Sequence, residues 1–294
     1  MLTVSFYSFK GGAGRSTTCL NTIPYLCEQL GADKDNPLLL LDMDLDSAGM
    51  TYLLNQEDYF HQNYDVKQFL KGEDNDLSVP VAEGLENHPF IKKTVPVGTK
   101  FGLTDDKTVL FLGVNDESIF DPNDIGGGKE ELFKKLKQFC RKNGIKAVAL
   151  DTSTGDQVSA SISTGASEKI VCCMKNTMQF RIGTFNYLQR LAKNDPEKQV
   201  IIFPTVVPQT DFEIDGEMQK EKSINSILRK SENLSFTSIN TDFVSPDMFG
   251  INEIERFKWK EDILYKIEKS GNTRDDEKEG IRRYSKLASI IIGD

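Results

Sequence analysis

Lys10-Gly11-Gly12-Ala13-Gly14-Arg15-Ser16-Thr17 places three glycines, two cations and two hydroxyls in eight consecutive residues. Glycines let backbone N–H groups close on a phosphate chain. A helix N-terminus directly after them adds positive potential, and the Ser16 hydroxyl can ligate Mg²⁺. The chemistry expected of this stretch is phosphate binding; the plainer alternative is a glycine turn that holds nothing. Two further groups of acids could act beside it. Asp42-Met43-Asp44-Leu45-Asp46 follows the apolar run Leu38-Leu39-Leu40-Leu41, and Asp151 follows Ala147-Val148-Ala149-Leu150. Carboxylates at the carboxyl ends of parallel strands face the ligand crevice of an α/β sheet. Aspartates that only end a strand and open a turn are the bland reading of the same residues.

These groups need elements to hold them. Apolar runs predict strands at Leu2 to Phe9, Pro37 to Asp42, Thr108 to Val114, Ile145 to Asp151, Lys169 to Met174 and Gln199 to Val207. Helical patterns fall at Ser16 to Leu30, Lys129 to Lys142, Ile182 to Lys193, Glu217 to Ser231, Ile254 to Lys269 and Lys278 to Ile292. The alternation predicts an α/β fold of P-loop type, a mostly parallel sheet flanked by helices on both faces. Glycines and prolines break the pattern from about 55 to 106. The expected organisation is therefore one nucleotide-binding domain, 1–294, with an irregular insertion there. Gly126-Gly127-Gly128 reads as a hinge before a helix.

Composition narrows the function classes. The chain is 38% hydrophobic and 28% charged, and its net charge of -9 opposes a general electrostatic grip on nucleic acid or an anionic membrane. Cys19, Cys27, Cys140, Cys172 and Cys173 lack metal-ligand spacing and read as reduced core residues. His61 and His88 are expected at the surface, which leaves little for a serine hydrolase or a histidine metal site. No run approaches a membrane span and no signal pattern opens the chain, so a cytoplasmic protein is expected.

Phe9 stands where a phosphate loop usually has its first glycine, and Lys10 is an additional cation inside the loop. This arrangement resembles the deviant Walker A motif of the ParA/MinD family of dimerising ATPases. The resemblance implies that Lys10 reaches the nucleotide of a partner subunit and that residues Lys10 to Thr17 bind nucleotide. It further implies that Asp44 positions the attacking water, with Lys10 and Asp44 as the catalytic pair. Asp42 would support Mg²⁺ or loop geometry, and Asp151, ending a Walker B-like strand, would join Ser16 and Asp42 around the metal. Thr152-Ser153-Thr154-Gly155-Asp156 resembles the family's second switch without its prolines, with Gly155 able to turn its N–H toward a γ-phosphate. Arg282 to Ala288 is similar to the family's closing helix.

Arg15 replaces the family's loop lysine. An arginine held as a degraded lysine implies that Arg15→Lys raises hydrolysis, or at least does not lower it. No asparagine follows Val200 to Val207 to read adenine, so Pro246 to Met248 are assigned to pack on the base. The implied function is a Mg²⁺-dependent ATP-hydrolysing dimerisation switch that signals its nucleotide state to a partner protein. The setting would be DNA segregation or an accessory ATPase of a bacterial defence or mobile-element system. The alternative is a nucleotide-binding scaffold with little or no hydrolysis. The partners implied are an ATP-dependent homodimer and a second protein, with no membrane. DNA is possible through Lys134, Lys137 and Arg141 or through Arg256-Phe257-Lys258-Trp259-Lys260, but the net charge does not support it.

Overall fold

Leu38 and Leu40 pack into one hydrophobic cluster and Leu39 and Leu41 into another, and all four are fully buried in the computed structural model. Successive strand residues face opposite sides, so a run that is apolar at every position needs cover on both faces. The structure describes residues 1–54, 65–71, 76–81, 84–115, 129–155, 157–175, 177–195, 198–206, 235–238, 251, 253–258, 260 and 262–293.

The strands are β1 (Leu2–Ser8), β2 (Leu38–Met43), β3 (Val95–Pro96), β4 (Val109–Leu112), β5 (Ala147–Thr154), β6 (Lys169–Lys175), β7 (Gln199–Thr205) and β8 (Ser235–Ser238). They form one sheet in the order β3-β4-β2-β5-β1-β6-β7-β8. Every pairing is parallel except β3 with β4, where the proline-bearing β3 lies at an edge. The helices are α1 (Arg15–Gln29), α2 (Gly49–Leu54), α3 (Val66–Lys71), α4 (Pro89–Lys92), α5 (Gly98–Phe101), α6 (Lys129–Lys142), α7 (Val158–Ala166), α8 (Met178–Asn194), α9 (Leu264–Ser270) and α10 (Asp275–Ile292). Helices α1, α9 and α10 share one core with inward residues of the sheet, through Leu20, Ile23, Leu264, Tyr284 and Leu287. The opposite face is covered by Phe69, Phe90, Phe133 and Phe139 over β2 and β4, and by Phe185 and Leu188 over β6 and β7.

Several expectations need correction. His88 is buried, not exposed: it caps α4 by accepting from the Phe90 N–H, its other ring nitrogen meets the Val79 carbonyl, and its ring lies 4.5 Å from that of Phe139. The continuous helix expected from Ile254 to Lys269 is instead a 3₁₀ turn at Glu255–Lys258 followed by the separate α9. Helix α7 lacks the apolar stripe that signals a helix, because its inner face carries Ser159, Ser163 and Thr164. Those hydroxyls bond to nearby carbonyls or to Ser153, so small polar residues pack without loss. The region from 55 to 106 contributes α3, α4, β3 and α5 among its described residues. His61, Glu217 to Ser231 and Gly126 to Gly128 lie outside the described residues. All five cysteines are free and buried, and burial pushes their thiols up.

Asn21 joins α1 to the C-terminal helices. Its Oδ1 accepts from the Leu264 N–H at 2.8 Å, capping α9, and its Nδ2 donates to the Thr17 and Asp262 carbonyls. Asn21→Ala leaves these buried groups unmet and is expected to lower stability by about 2 kcal/mol. Urea unfolding checks it, and a loss under about 0.5 kcal/mol contradicts the bridging role.

Candidate functional site

The phosphate-type loop joins the end of β1 to the start of α1, at the carboxyl edge of a strand flanked by β5 and β6. Gly12 and Gly14 adopt φ of 75° and 70°, a left-handed backbone that disfavours side chains. Gly14 is also the N-cap of α1, and its carbonyl accepts both the N–H and the Oγ1–H of Thr18. The Ala13 carbonyl accepts from Thr205 Oγ1 at 2.8 Å, which anchors the loop to the end of β7. The first turn of α1 therefore presents its backbone N–H groups toward the crevice.

Arg15 does not extend over the loop. Its side chain turns inward, where Nη2 donates to Asp44 Oδ2 at 2.7 Å and to Ser16 Oγ at 3.0 Å, and Nε donates to Asp151 Oδ1 at 2.9 Å. Arg15, Asp44 and Asp151 are 7%, 9% and 0% exposed. Burial alone would favour loss of the guanidinium proton, but Asp151 and Asp44 outweigh it and hold the group charged. Burial raises the Asp151 carboxyl against Arg15 and a Ser16 hydrogen bond, both of which lower it, and the net direction is up. Among the described residues, Arg15 Nη1 and Asp151 Oδ2 are buried without a hydrogen-bond partner.

Asp42 plays a different part. Its Oδ2 accepts from the Thr51 N–H and Oγ1–H, and its Oδ1 accepts from the Asp44 N–H. Thr51 Oγ1 in turn accepts from the Val114 N–H. Both oxygens of Asp42 thus hold the turn after β2. Lys10 is exposed and donates to Gln179 Oε1 at 2.7 Å, at the start of α8. The Gly155 N–H donates to the Ser8 carbonyl at 3.1 Å, so in this conformation it faces β1.

Ser16 Oγ, Asp44 Oδ2 and Asp151 Oδ1 all lie against one guanidinium, and Asp42 is committed to backbone and Thr51. No cluster of three or more acid, histidine or cysteine side chains among the described residues is arranged to hold a metal. A divalent ion does not fit beside the cationic fork in this arrangement. Arg15 is also not a misplaced lysine: three of its donors are spent on three separate oxygens of the site, and an ammonium cannot span them. Lysine at this position would leave Asp44 or Asp151 unmatched.

Sequence reading missed other residues. A cavity of about 260 Å³ is lined by Gly12, Gly14, Thr17 and Thr18 on one side, and by Thr205, Val206, Ile251, Ile254, Phe257 and Tyr284 on the other. Val206 has φ 56°, an unfavourable conformation for a β-branched residue. Gly183 admits the Phe9 ring, with which any Cβ there would collide. A lone glycine in a helical pattern was the available signal for that approach. Pro246 to Met248, Asp156 and Trp259 lie outside the described residues. The two basic patches are largely neutralised: Lys134 pairs with Glu131, Arg141 with Glu168, Arg256 with Glu277 and Asp262, Lys258 with Glu253 and Glu255, and Lys260 with Asp262.

No protein-family model matches the chain, and no curated protein matches it by sequence. Solved structures do match. The MinC:MinD cell division complex of Aquifex aeolicus matches with TM-score 0.64 and 15% identity, covering 100% of this chain and 97% of that one. The pNOB8 ParA bound to nonspecific DNA gives 0.59 and 14%, covering 99% and 95%. The septum site-determining protein MinD with Mg-ADP from Pyrococcus horikoshii gives 0.59 and 14%, covering 99% of this chain and 96% of that one. At such identities the likeness establishes the fold, which is the P-loop α/β fold of the MinD and ParA ATPases.

Asp42 gives the site a pH signature. It lies beside Asp151 in the β2–β5 register, and burial together with that charge pushes its carboxyl up to about 7, against the hydrogen bonds from Thr51 and Asp44. A raised value means the folded protein binds the proton more tightly than the unfolded chain. The associated stability is present below the unfolded value of 3.8 and is lost as pH rises through about 7. Asn at this position cannot titrate. The stability of the parent relative to Asp42→Asn is expected to fall across that window, by at most about 1.4 kcal/mol per pH unit. Urea melts at stepped pH read the difference, and a flat or rising difference contradicts the assignment.

Proposed function

We propose that this chain is an ATP-binding switch of the ParA/MinD type, which dimerises on ATP and passes its nucleotide state to a partner protein. The observation that carries the reading is the cavity described above. It adjoins the glycine loop, and its far wall combines the apolar Ile251, Ile254 and Phe257 with the charged Glu253 and Lys258. A phosphate chain on the loop and the first turn of α1 leaves a base directed at that wall. The residues proposed to bind nucleotide are Lys10 to Thr17. Mg-ADP in the P. horikoshii MinD supports nucleotide as the ligand class.

The dimer reading rests on the same edge of the sheet. Val158, Ile182 and Val206 are exposed apolar residues, and they follow β5, β6 and β7, strands that lie to either side of β1 and its loop. Lys10 lies on that rim. Its Gln179 contact is exposed and is exchangeable for a phosphate of a second copy. The MinC:MinD complex supports a protein partner. The ParA complex with DNA suggests nucleic acid, but the net charge of -9 and the paired basic patches weigh toward protein. A segregation complex or a bacterial defence or mobile-element system remains the proposed setting.

Hydrolysis, with Asp44 positioning water, is the finer part of the proposal. In the described conformation Asp44 Oδ2 is held by Arg15 and by Ser47 Oγ at 2.6 Å, which favours the second reading, a scaffold with little turnover. Turnover requires Asp44 to be released. Sedimentation with and without a non-hydrolysable ATP analogue is expected to show an ATP-dependent dimer that Lys10→Ala weakens by about tenfold or more, the scale of one charge-assisted contact. A monomer under both conditions contradicts the switch. Phosphate release separates the two readings: sustained release identifies the ATPase, and single occupancy without release identifies the scaffold.

A further inference from the structure

The misfit between the expected metal and the guanidinium has a consequence of its own, which rests on the nucleotide-binding reading. We propose that Arg15 is a resident cation standing in the metal's place, so that this chain holds ATP without needing a divalent ion. The guanidinium touches the three oxygens of Ser16, Asp44 and Asp151 that flank the phosphate loop. Its own charge balances the carboxylates that would otherwise call for a metal. The group is nevertheless not saturated. Nη1 is buried and has no partner among the described residues, although an arginine carries five N–H donors and a buried unmet donor is costly.

A phosphate oxygen supplies what Nη1 lacks. Arg15 is the first residue of α1, directly after Gly14, so its backbone adjoins the loop although its side chain turns inward to Asp44 and Asp151, and an anion reaching Nη1 has to open that burial. The planar fork can keep Nε and Nη2 on the acids while Nη1 meets the phosphate chain, a division of donors that lysine cannot make. Lys10 at the rim and the N–H groups of the first turn of α1 add further positive potential. In a site of this kind the metal's electrostatic work is done by a side chain fixed in place before the ligand arrives.

Isothermal titration of ATP into the full chain, once in excess MgCl₂ and once in excess EDTA, tests the proposal. Affinities within about fivefold of each other are expected for the parent, and a gap of at least about tenfold for Arg15→Lys. Binding that needs magnesium in the parent overturns the resident cation while leaving the nucleotide reading intact. An absence of binding in both buffers overturns both. A parent and an Arg15→Lys chain that are equally indifferent to EDTA show that the indifference comes from elsewhere, which also overturns the role of Arg15. Should Arg15→Lys fail to fold, Mn²⁺ titrated into the nucleotide-free parent and followed by electron paramagnetic resonance decides. No saturable site is expected, and a saturable Mn²⁺ site on the free protein overturns the proposal.

Discussion

A buried guanidinium between two buried carboxylates is the interaction on which the site depends. Charges withdrawn from water persist only when each is matched by partners of good geometry. Arg15 meets Asp44 and Asp151 at 2.7 and 2.9 Å, and the two acids sit on different parts of the fold, after β2 and within β5. The first residue of α1 is thereby tied to two strands at once. The position of the phosphate-type loop relative to the sheet follows from that tie, as does the orientation of Asp44.

The three acids of the crevice divide their work by environment. Asp42 is saturated by Thr51 and by the Asp44 backbone, and through Thr51 it reaches Val114, two residues past the end of β4. It is a rigid member of the turn. Among the described residues the Asp44 carboxylate is held by side chains, those of Arg15 and Ser47, so a competing anion for the guanidinium can release it without disturbing β2. Asp151 keeps one oxygen on Arg15 and one without a partner among the described residues. A site with one fixed acid, one releasable acid and one half-satisfied acid is suited to respond to a ligand.

Much of the framework was legible because its signals are local. The four consecutive leucines of β2 announced a strand covered on both faces, and the glycine loop between an apolar run and a helical run located the site. Asp42 and Asp44 fall at the carboxyl end of β2 as expected, whereas β5 runs on past Asp151 to Thr154. What the pattern did not carry was the direction of side chains. Arg15 read as a phosphate contact, yet its partners come from residues 29 and 136 positions away. Helix α7 escaped because its buried face is made of serine and threonine, which satisfy themselves on nearby carbonyls. The break between Glu255–Lys258 and α9 is set by Asn21, a residue of another helix, and no local reading reveals it. His88 was likewise placed by its ring partner and two backbone groups rather than by its polarity.

The central claim is that Arg15 and Asp151 stabilise the fold through each other. A double-mutant cycle with Arg15→Met and Asp151→Asn, followed by urea unfolding at neutral pH, measures that directly. The account predicts a coupling of at least about 1.5 kcal/mol, in the upper part of the range for groups in contact. A coupling below about 0.5 kcal/mol, with both single variants folded, contradicts it.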